Sequence, residues 1–295
     1  MRPTVEWQVN GRCNYDCSYC VQSRSRRIGA PAPALVDAIV DAYARLPGRW
    51  EIKLSGGEPF AYRGLVRHVV PALMARTPHD VSVLTNLSAP LEVLERFCAA
   101  LGDRLLITSA SLHLEHTDVA TFLAKATAYR DLRAAYCPRS SFVVNSVLVP
   151  GRLDAALAAQ RAVRAAGFRY FPQLMKIKGG VYPYTRRDRR LIERICGPSH
   201  NPWAANRAPS YHGLHCDAGV WYLVVDQRGE AWRCRTAKRF ADHEEREGYL
   251  GNLAGGTFVP WSRGGLCPYP ICPCTTPANR GVVRPPASDA ARHDR

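Results

Sequence analysis

No uninterrupted apolar run in the 295-residue sequence approaches the roughly 18 residues that a membrane-spanning helix needs. The start, Met1-Arg2-Pro3-Thr4-Val5-Glu6-Trp7, holds no apolar stretch of signal-peptide length before polar residues resume. Acidic residues are in short supply: 25 Asp and Glu stand against 40 Lys and Arg, a formal charge of +15. That balance suits an anionic partner such as a phosphate, a nucleic acid or an acidic cluster, and says nothing about fold. The cysteines cannot all pair, because eleven is odd. These absences point away from a membrane protein and a secreted disulfide scaffold, and toward a cytoplasmic chain whose clustered cysteines bind metal or do chemistry. No internal repeat is visible. With 46% apolar residues the chain can still fill a core, which excludes a wholly disordered protein.

Hydrophobic periodicity predicts alternating strands and helices. Strands are expected at Thr4 to Asn10, Trp50 to Leu54, Val81 to Leu84, Leu105 to Ser111, Ser141 to Val149 and Tyr170 to Met175. Helices are expected at Pro33 to Leu46, Tyr62 to Ala75, Leu91 to Leu101, Val119 to Leu132 and Leu153 to Ala166. About six strand-then-helix units imply a parallel sheet in an α/β fold, and six suit a partial (β/α)6 TIM-like barrel better than a closed eight-stranded one. The expected division is a barrel over 1–196, a linker over 197–212 with Pro198, Pro202 and Pro209, a cysteine-rich module over 213–276 and a disordered tail over 277–295. Within the module, Gly219 to Val225 and Glu230 to Cys234 flank Asp226-Gln227-Arg228-Gly229, a hairpin signal.

Directly after the first strand stands Cys13-Asn14-Tyr15-Asp16-Cys17-Ser18-Tyr19-Cys20, a C-x3-C-x2-C triplet. Three thiolates this close can converge on one inorganic centre and leave a fourth coordination site open. Structural zinc sites close with four ligands, and no histidine follows at zinc-finger spacing, so an iron-sulfur cube with one free iron fits the count better. The second strand ends at Ser55-Gly56-Gly57-Glu58-Pro59, where glycines permit close backbone approach and Glu58 offers an acceptor to an ammonium group.

With these two motifs the sequence resembles the radical S-adenosylmethionine (SAM) superfamily, whose signature is C-x3-C-x-aromatic-C, Tyr19 supplying the aromatic. The resemblance covers about residues 5 to 190. It implies a 4Fe-4S cluster on Cys13, Cys17 and Cys20, its open iron chelated by the methionine moiety of SAM, with Gly56, Gly57 and Glu58 along the cofactor's amino group. Thr85-Asn86, Ser109 with Ser111, and Asn145 fall where relatives meet the cofactor's ribose and carboxylate. His113 and Glu115 follow the fourth strand, on the face where barrel active sites lie, and a solvated loop would explain them as well.

A second group comprises Cys216, Cys234, Cys267, Cys272 and Cys274. The C-x12-G-x4-C segment from Cys216 resembles the opening of the SPASM and twitch extensions of the same superfamily, in which a hairpin carries two ligands of an auxiliary 4Fe-4S cluster. Five cysteines rather than seven match the single-cluster twitch type, although Cys272-Pro273-Cys274 is tighter than the pattern and a zinc ribbon remains an alternative. A protein-ligated cube takes four, which leaves one. Cys216, Cys234, Cys272 and Cys274 are the expected ligands and Cys267 the expected spare, either structural or a catalytic hydrogen-atom donor. Cys98 and Cys137 read as packing residues, and Cys196 has no assignment.

The resemblance implies reductive cleavage of SAM to a 5'-deoxyadenosyl radical that takes hydrogen from an unactivated carbon. Oxidation follows if the auxiliary cluster accepts an electron, and epimerisation if the spare thiol returns a hydrogen. The chain begins at its first strand, which favours a small carbohydrate-like substrate (aminoglycoside, cyclitol or sugar) over a ribosomal peptide, with a phosphorylated or nucleotide substrate as a further alternative. An electron donor such as flavodoxin or ferredoxin is the expected partner. The basic stretch Lys176, Lys178, Arg186, Arg187, Arg189 and Arg190 would repel a polycation if it faced the site. A zinc-dependent nucleic-acid-binding protein is the non-enzyme alternative, disfavoured because aromatics do not interleave with the basic residues.

Overall fold

The structure, a computed structural model, describes residues 2–22, 29–177, 180–196, 211–239, 247–272 and 280–284. Most of the expected linker, Lys178, Cys274 and the tail outside 280–284 lie outside the described residues.

The chain runs β1 (Thr4–Asn10), α1 (Pro33–Ala44), β2 (Glu51–Gly56), α2 (Val70–Arg76), β3 (Asp80–Thr85), α3 (Leu91–Leu101), β4 (Leu105–Ser111), α4 (Val119–Tyr136), β5 (Ser141–Leu148), α5 (Leu153–Ala165) and β6 (Arg169–Leu174). A short ribbon of β7 (Lys176–Ile177) and β8 (Gly180–Val181) then leads to α6 (Arg186–Cys196). The remaining elements are β9 (His215–Cys216), β10 (Tyr222–Val225), β11 (Glu230–Trp232), α7 (Arg235–Arg239), β12 (Tyr249–Asn252) and β13 (Gly265–Leu266). The helix expected over Tyr62 to Ala75 starts instead as a π-helical turn, Leu65–Val69, and becomes α-helical at Val70. Pro71, with no N–H to donate, sits at that junction.

Strands β1 to β6 pair in parallel and in sequence order. Right-handed crossovers between sequential parallel strands put the connecting helices α1 to α5 on one face, the architecture of a partial barrel. The alternation within each strand follows. On the helix-covered face Val5, Trp7, Val9, Ile52, Leu54, Val81, Val83, Ala110 and Val144 are buried in the main core. The opposite, inner face carries Glu6, Gln8, Lys53, Ser55, Ser109, Ser111, Asn145 and Gln173.

The expected hairpin forms, with β10 antiparallel to β11 and Gly229 in its turn at φ 82°. It does not stand apart from the barrel. β10 pairs in parallel with β1, Thr4 opposite Tyr222 and Trp7 opposite Val225, so the full sheet has nine strands in the order β12-β11-β10-β1-β2-β3-β4-β5-β6. Alternation continues across this join: Leu223, Val225 and Ala231 enter the main core, whereas Tyr222, Val224 and Trp232 project to the inner face and build a second apolar cluster with Cys216, Cys234, Cys267 and Tyr269. Val282 and Val283, within the stretch expected to be a disordered tail, belong to that cluster. Val282 and Val283 are buried, Asp217 donates its N–H to the Val282 carbonyl at 2.9 Å, and Val283 bridges Cys216. Two apolar residues of Gly281-Val282-Val283 offer burial that the polar average of the tail conceals.

Glu6 ties the two parts together. Its buried carboxylate accepts from Ser55 Oγ at 2.9 Å, from Tyr222 Oη at 2.8 Å and from Arg235 Nε at 2.8 Å. Burial alone would raise its pKa; the charges of Arg235 and Lys53, with hydrogen bonds from Arg235 and Tyr222, outweigh burial and hold it well below the usual carboxylate range. The unfolded chain therefore takes up this proton first on acidification. The stabilisation is complete above the free-chain value near pH 4.3 and is lost as pH falls toward the folded pKa. Glu6→Gln should destabilise the cluster-free protein at pH 7 by about 3 kcal/mol, the cost of stranding a partner of a buried pair, and should flatten the decline in stability below about pH 4.3. Urea unfolding at a series of pH values measures both, and an unchanged midpoint would refute the role.

Candidate active site

The C-terminal ends of β1 to β4 converge around the first cysteine loop. The closest approach is made by Gly56 and Gly57. A Cβ on Gly56 would lie 2.2 Å from the Asn10 carbonyl oxygen, and one on Gly57 would lie 2.0 Å from that of Arg12. Gly56 also has φ 127°, a conformation that side chains resist. The two backbones are bonded at this crossing: Gly57 N–H donates to Asn10 O at 2.7 Å and Glu58 N–H to Arg12 O at 2.9 Å. Asn10 Nδ2 donates to the carbonyls of Arg12 and Glu58 at 3.0 and 3.1 Å, closing the junction. The glycines thus admit the cysteine loop, a neighbour that the sequence alone does not reveal.

Glu58 is buried and its carboxylate is taken up by the chain. Oε1 accepts from Thr85 Oγ1 at 2.7 Å and from Phe60 N–H at 3.2 Å, and Oε2 accepts from Asn86 N–H at 2.6 Å. Burial pushes its pKa up to about 7 against the pull of those three hydrogen bonds. In this structure its contacts fasten the end of β2 to the end of β3. Beyond β3, Leu87 is buried at φ 59°, a strained position for a branched residue. The turn it makes aims Asn86 Nδ2 at Asn14 Oδ1 (2.9 Å), while Asn14 Nδ2 donates to Ser88 Oγ (2.9 Å).

The loop after β4 makes a third anchor. Glu115 accepts from Ser18 N–H at 2.8 Å and from Ser18 Oγ at 2.6 Å. His113 Nδ1 lies 2.8 Å from Tyr19 Oη and 3.4 Å from Cys17 Sγ, and His116 stacks on Tyr15 at 4.5 Å. Burial, with the charge of His116, pushes His113 down to about 4. Cys17 moves up to about 11, through burial and the neighbouring charges of Cys20 and Cys13, against a lowering hydrogen bond from Tyr19. Three cysteines on one partly exposed loop, whose thiolates would repel one another, suit a cation that makes all three thiolates favourable.

Ser109, Ser111 and Asn145 come together on the inner face. Asn145 Nδ2 donates to Ser109 Oγ at 3.0 Å, Asn145 Oδ1 accepts from Ser111 Oγ at 3.0 Å, and Gln173 Nε2 lies 3.4 Å from the same oxygen. In the second group, Cys216, Cys234 and Cys267 are buried in one cluster, with Cys272 at its margin. Burial, aided by the Cys216 charge, raises the Cys234 thiol to about 12, and the Cys267 charge adds to the burial that raises Cys216. Cys267, expected as the spare, therefore sits beside Cys216 and Cys234. Lys176 Nζ donates to the Cys272 carbonyl at 3.0 Å, and Thr236 Oγ1 donates to Ile271 O at 2.9 Å, so this segment reaches from α7 to the far edge of the barrel. Arg186, Arg187, Arg189 and Arg190 are exposed on α6 and only Lys176 of the described basic stretch turns inward. Cys98 and Cys137 are packed between α3 and α4.

Asn10, Asn14, Ser18, Glu6 and Lys176 are absent from the residues that sequence reasoning singles out as candidate ligands. The polar alternation of Glu6-Trp7-Gln8 on a strand was the visible signal for one of them.

The model of the radical SAM superfamily matches residues 7–159. The chain belongs to that superfamily. Among curated proteins, biotin synthase of Nitratidesulfovibrio vulgaris strain Hildenborough is 25% identical over 186 residues, 62% of this chain and 43% of that protein. This chain thus matches less than half the length of that relative. Among solved structures, Streptococcus suis SuiB bound to the precursor peptide SuiA superposes with a TM-score of 0.61 at 13% identity, covering 88% of this chain and 65% of SuiB. His-tagged anSMEcpe with bound AdoMet gives 0.59 at 14%, covering 87% and 79%. These likenesses establish the fold.

Gly57→Ala should prevent the crossing from closing. We expect it to lower stability by about 1–3 kcal/mol, the usual cost of forcing atoms into a packed site, and to reduce iron uptake on reconstitution at least severalfold. Thermal unfolding and iron assay measure these, and wild-type iron loading would contradict the arrangement.

Proposed function

We propose that Cys13, Cys17 and Cys20 hold the SAM-binding cluster, that a second 4Fe-4S cluster is held in the inner-face cysteine group, and that the enzyme abstracts hydrogen from an unactivated C–H of a carbohydrate-like natural product. The observation that carries this reading is the shared face: the second cysteine group and the polar wall of the barrel occupy the same side of one sheet. When bound, the cofactors supply the reductive cleavage of SAM, the radical that removes the hydrogen, and an acceptor or donor for the remaining electron.

The chain's own residues bind, orient and enclose. Ser109, Ser111, Asn145 and Gln173 form a hydrogen-bonding wall suited to hydroxyl groups, and Gln8 and Lys53 continue it toward β1. Arg235 and Lys238 border the same wall, paired with Glu6 and Asp226. Lys176 and Thr236 pin the Cys272 segment across from α7 to the barrel edge, which restricts water and stray hydrogen donors at the lumen. The arginines of α6 are exposed to solvent, where water and salt screen their charge.

The burial of Cys267 with Cys216 and Cys234 favours these three as auxiliary ligands. One of Cys272 and Cys274 completes the set, and the other would return a hydrogen atom in an epimerisation. Cys20 and Val21 are exposed, offering an electron donor of flavodoxin or ferredoxin type a route to the first cluster. No helix among the described residues is long and apolar enough to cross a membrane.

Anaerobically purified protein should be brown and carry about eight irons, as two cubes require. Colourless, zinc-loaded protein would overturn the reading. Among Cys272→Ala and Cys274→Ala, epimerisation requires one variant with full iron that makes 5'-deoxyadenosine without product. With candidate sugars in deuterium oxide, inversion should place solvent deuterium at the changed carbon, whereas oxidation should place none there.

A further inference from the structure

Between the end of β11 and Cys234 lies an arginine whose charge nothing in the described residues balances. Arg233 is 3% exposed, its Nε has no hydrogen-bond partner, and among the described residues no carboxylate forms an ion pair with it. Other arginines of this part of the chain do have carboxylates: Arg235 pairs with Glu6 and Arg280 with Glu51. A buried cation is costly unless an opposite charge meets it. The fold nevertheless builds a slot for this side chain. Arg233 N–H donates to Gly248 O at 2.7 Å. A Cβ on Gly248 would lie 2.8 Å from Arg233 Cγ, and one on Gly219 would lie 3.3 Å from Arg233 Cβ and 3.0 Å from the Trp261 ring. Both glycines thus make room for the arginine stem. Its guanidinium carbon lies 4.4 Å from the centre of the Trp261 ring and 5.8 Å from that of Tyr269. Aromatic faces attract a cation without cancelling its charge. Tyr269 follows Cys267 by two residues and packs in one cluster with Cys216, Cys234 and Cys267, and Arg233 is joined to Cys234 by a peptide bond. The unbalanced charge therefore stands beside the second cysteine group.

An iron-sulfur cube on four thiolates is an anion, and reduction adds one more negative charge. A fixed cation in the same buried setting stabilises the reduced form more than the oxidised one. We propose that Arg233 is the counter-charge of the second cysteine group and raises the reduction potential of the cluster held there. The inference rests on the reading, proposed above, that this group binds a 4Fe-4S cluster.

Arg233→Met keeps a long apolar stem and removes the charge. In the cluster-free protein, where nothing offsets that charge, we expect the variant to unfold at a urea concentration no lower than wild type. After reconstitution, a redox titration follows the EPR signal that SAM leaves unchanged, with iron content determined alongside. At a fixed potential near the wild-type midpoint, the reduced-to-oxidised ratio of Arg233→Met should fall about tenfold, which is ~59 mV for a one-electron couple. Arg233→Lys, which restores the charge, should stay closer to wild type. An unchanged reduction potential in iron-replete Arg233→Met overturns the inference. So does a cluster-free Arg233→Met that unfolds at lower urea than wild type, since the arginine would then be a structural prop. If Arg233→Met loses the second cluster, recovery of that iron in Arg233→Lys supports the role of the charge, and failure to recover it overturns the inference. Wild-type protein holding a single cluster would instead refute the second-cluster reading, and the inference with it.

Discussion

At the crossing of Gly56–Glu58 over Asn10–Arg12, two stretches of backbone lie so close that neither glycine can carry a Cβ. Backbone hydrogen bonds there join the end of β2 to the start of the cysteine loop, and an unmet donor or acceptor at such a buried junction would cost about 1–3 kcal/mol. The loop leaves β1 with its direction already set. The later anchors, Asn86 and Ser88 on Asn14, Glu115 on Ser18 and His113 on Tyr19, act on a segment whose root is fixed. Glu58 extends this constraint, its buried carboxylate tying β2 to β3 before any ligand is considered.

The sheet separates two tasks by face. Apolar residues on the helix side supply the core, and polar residues on the inner side supply a wall for chemistry. The same alternation carries through β10 and β11, so the second cysteine group joins the inner side, within the second apolar cluster that Tyr222, Val224 and Trp232 build there. Glu6 sits at this join, where its charge is balanced by Arg235 and Lys53. The segment at Cys272 then spans the opening, held by Thr236 at one side and Lys176 at the other.

Local order was largely legible. The helix Leu91–Leu101 and the strand Leu105–Ser111 end where periodicity places them, and the two motifs at Cys13–Cys20 and Gly56–Pro59 point to the superfamily that the chain belongs to. What periodicity could not give was pairing between distant segments. Thr4 meets Tyr222 across more than two hundred residues, and no local signal encodes that partner. The reason for Gly56 and Gly57 was likewise hidden, because the atom that excludes a side chain belongs to another strand end. Lys176 reads as one of a run of cations, yet it turns inward while the arginines of α6 face solvent. Cys267 was separated from its neighbours by counting; the pairing of β13 with β9 places it beside them.

The central claim is that the chain itself shapes the cysteine loop before iron binds. Hydrogen exchange of the cluster-free protein tests it most directly, through the amides of Gly57, Glu58, Ser18 and Asn86, each of which has a named acceptor. Protection of these four comparable to that of the β1–β3 ladder is the result this account predicts. Exchange at the rate of an open loop, becoming protected only after reconstitution with iron and sulfide, would contradict it.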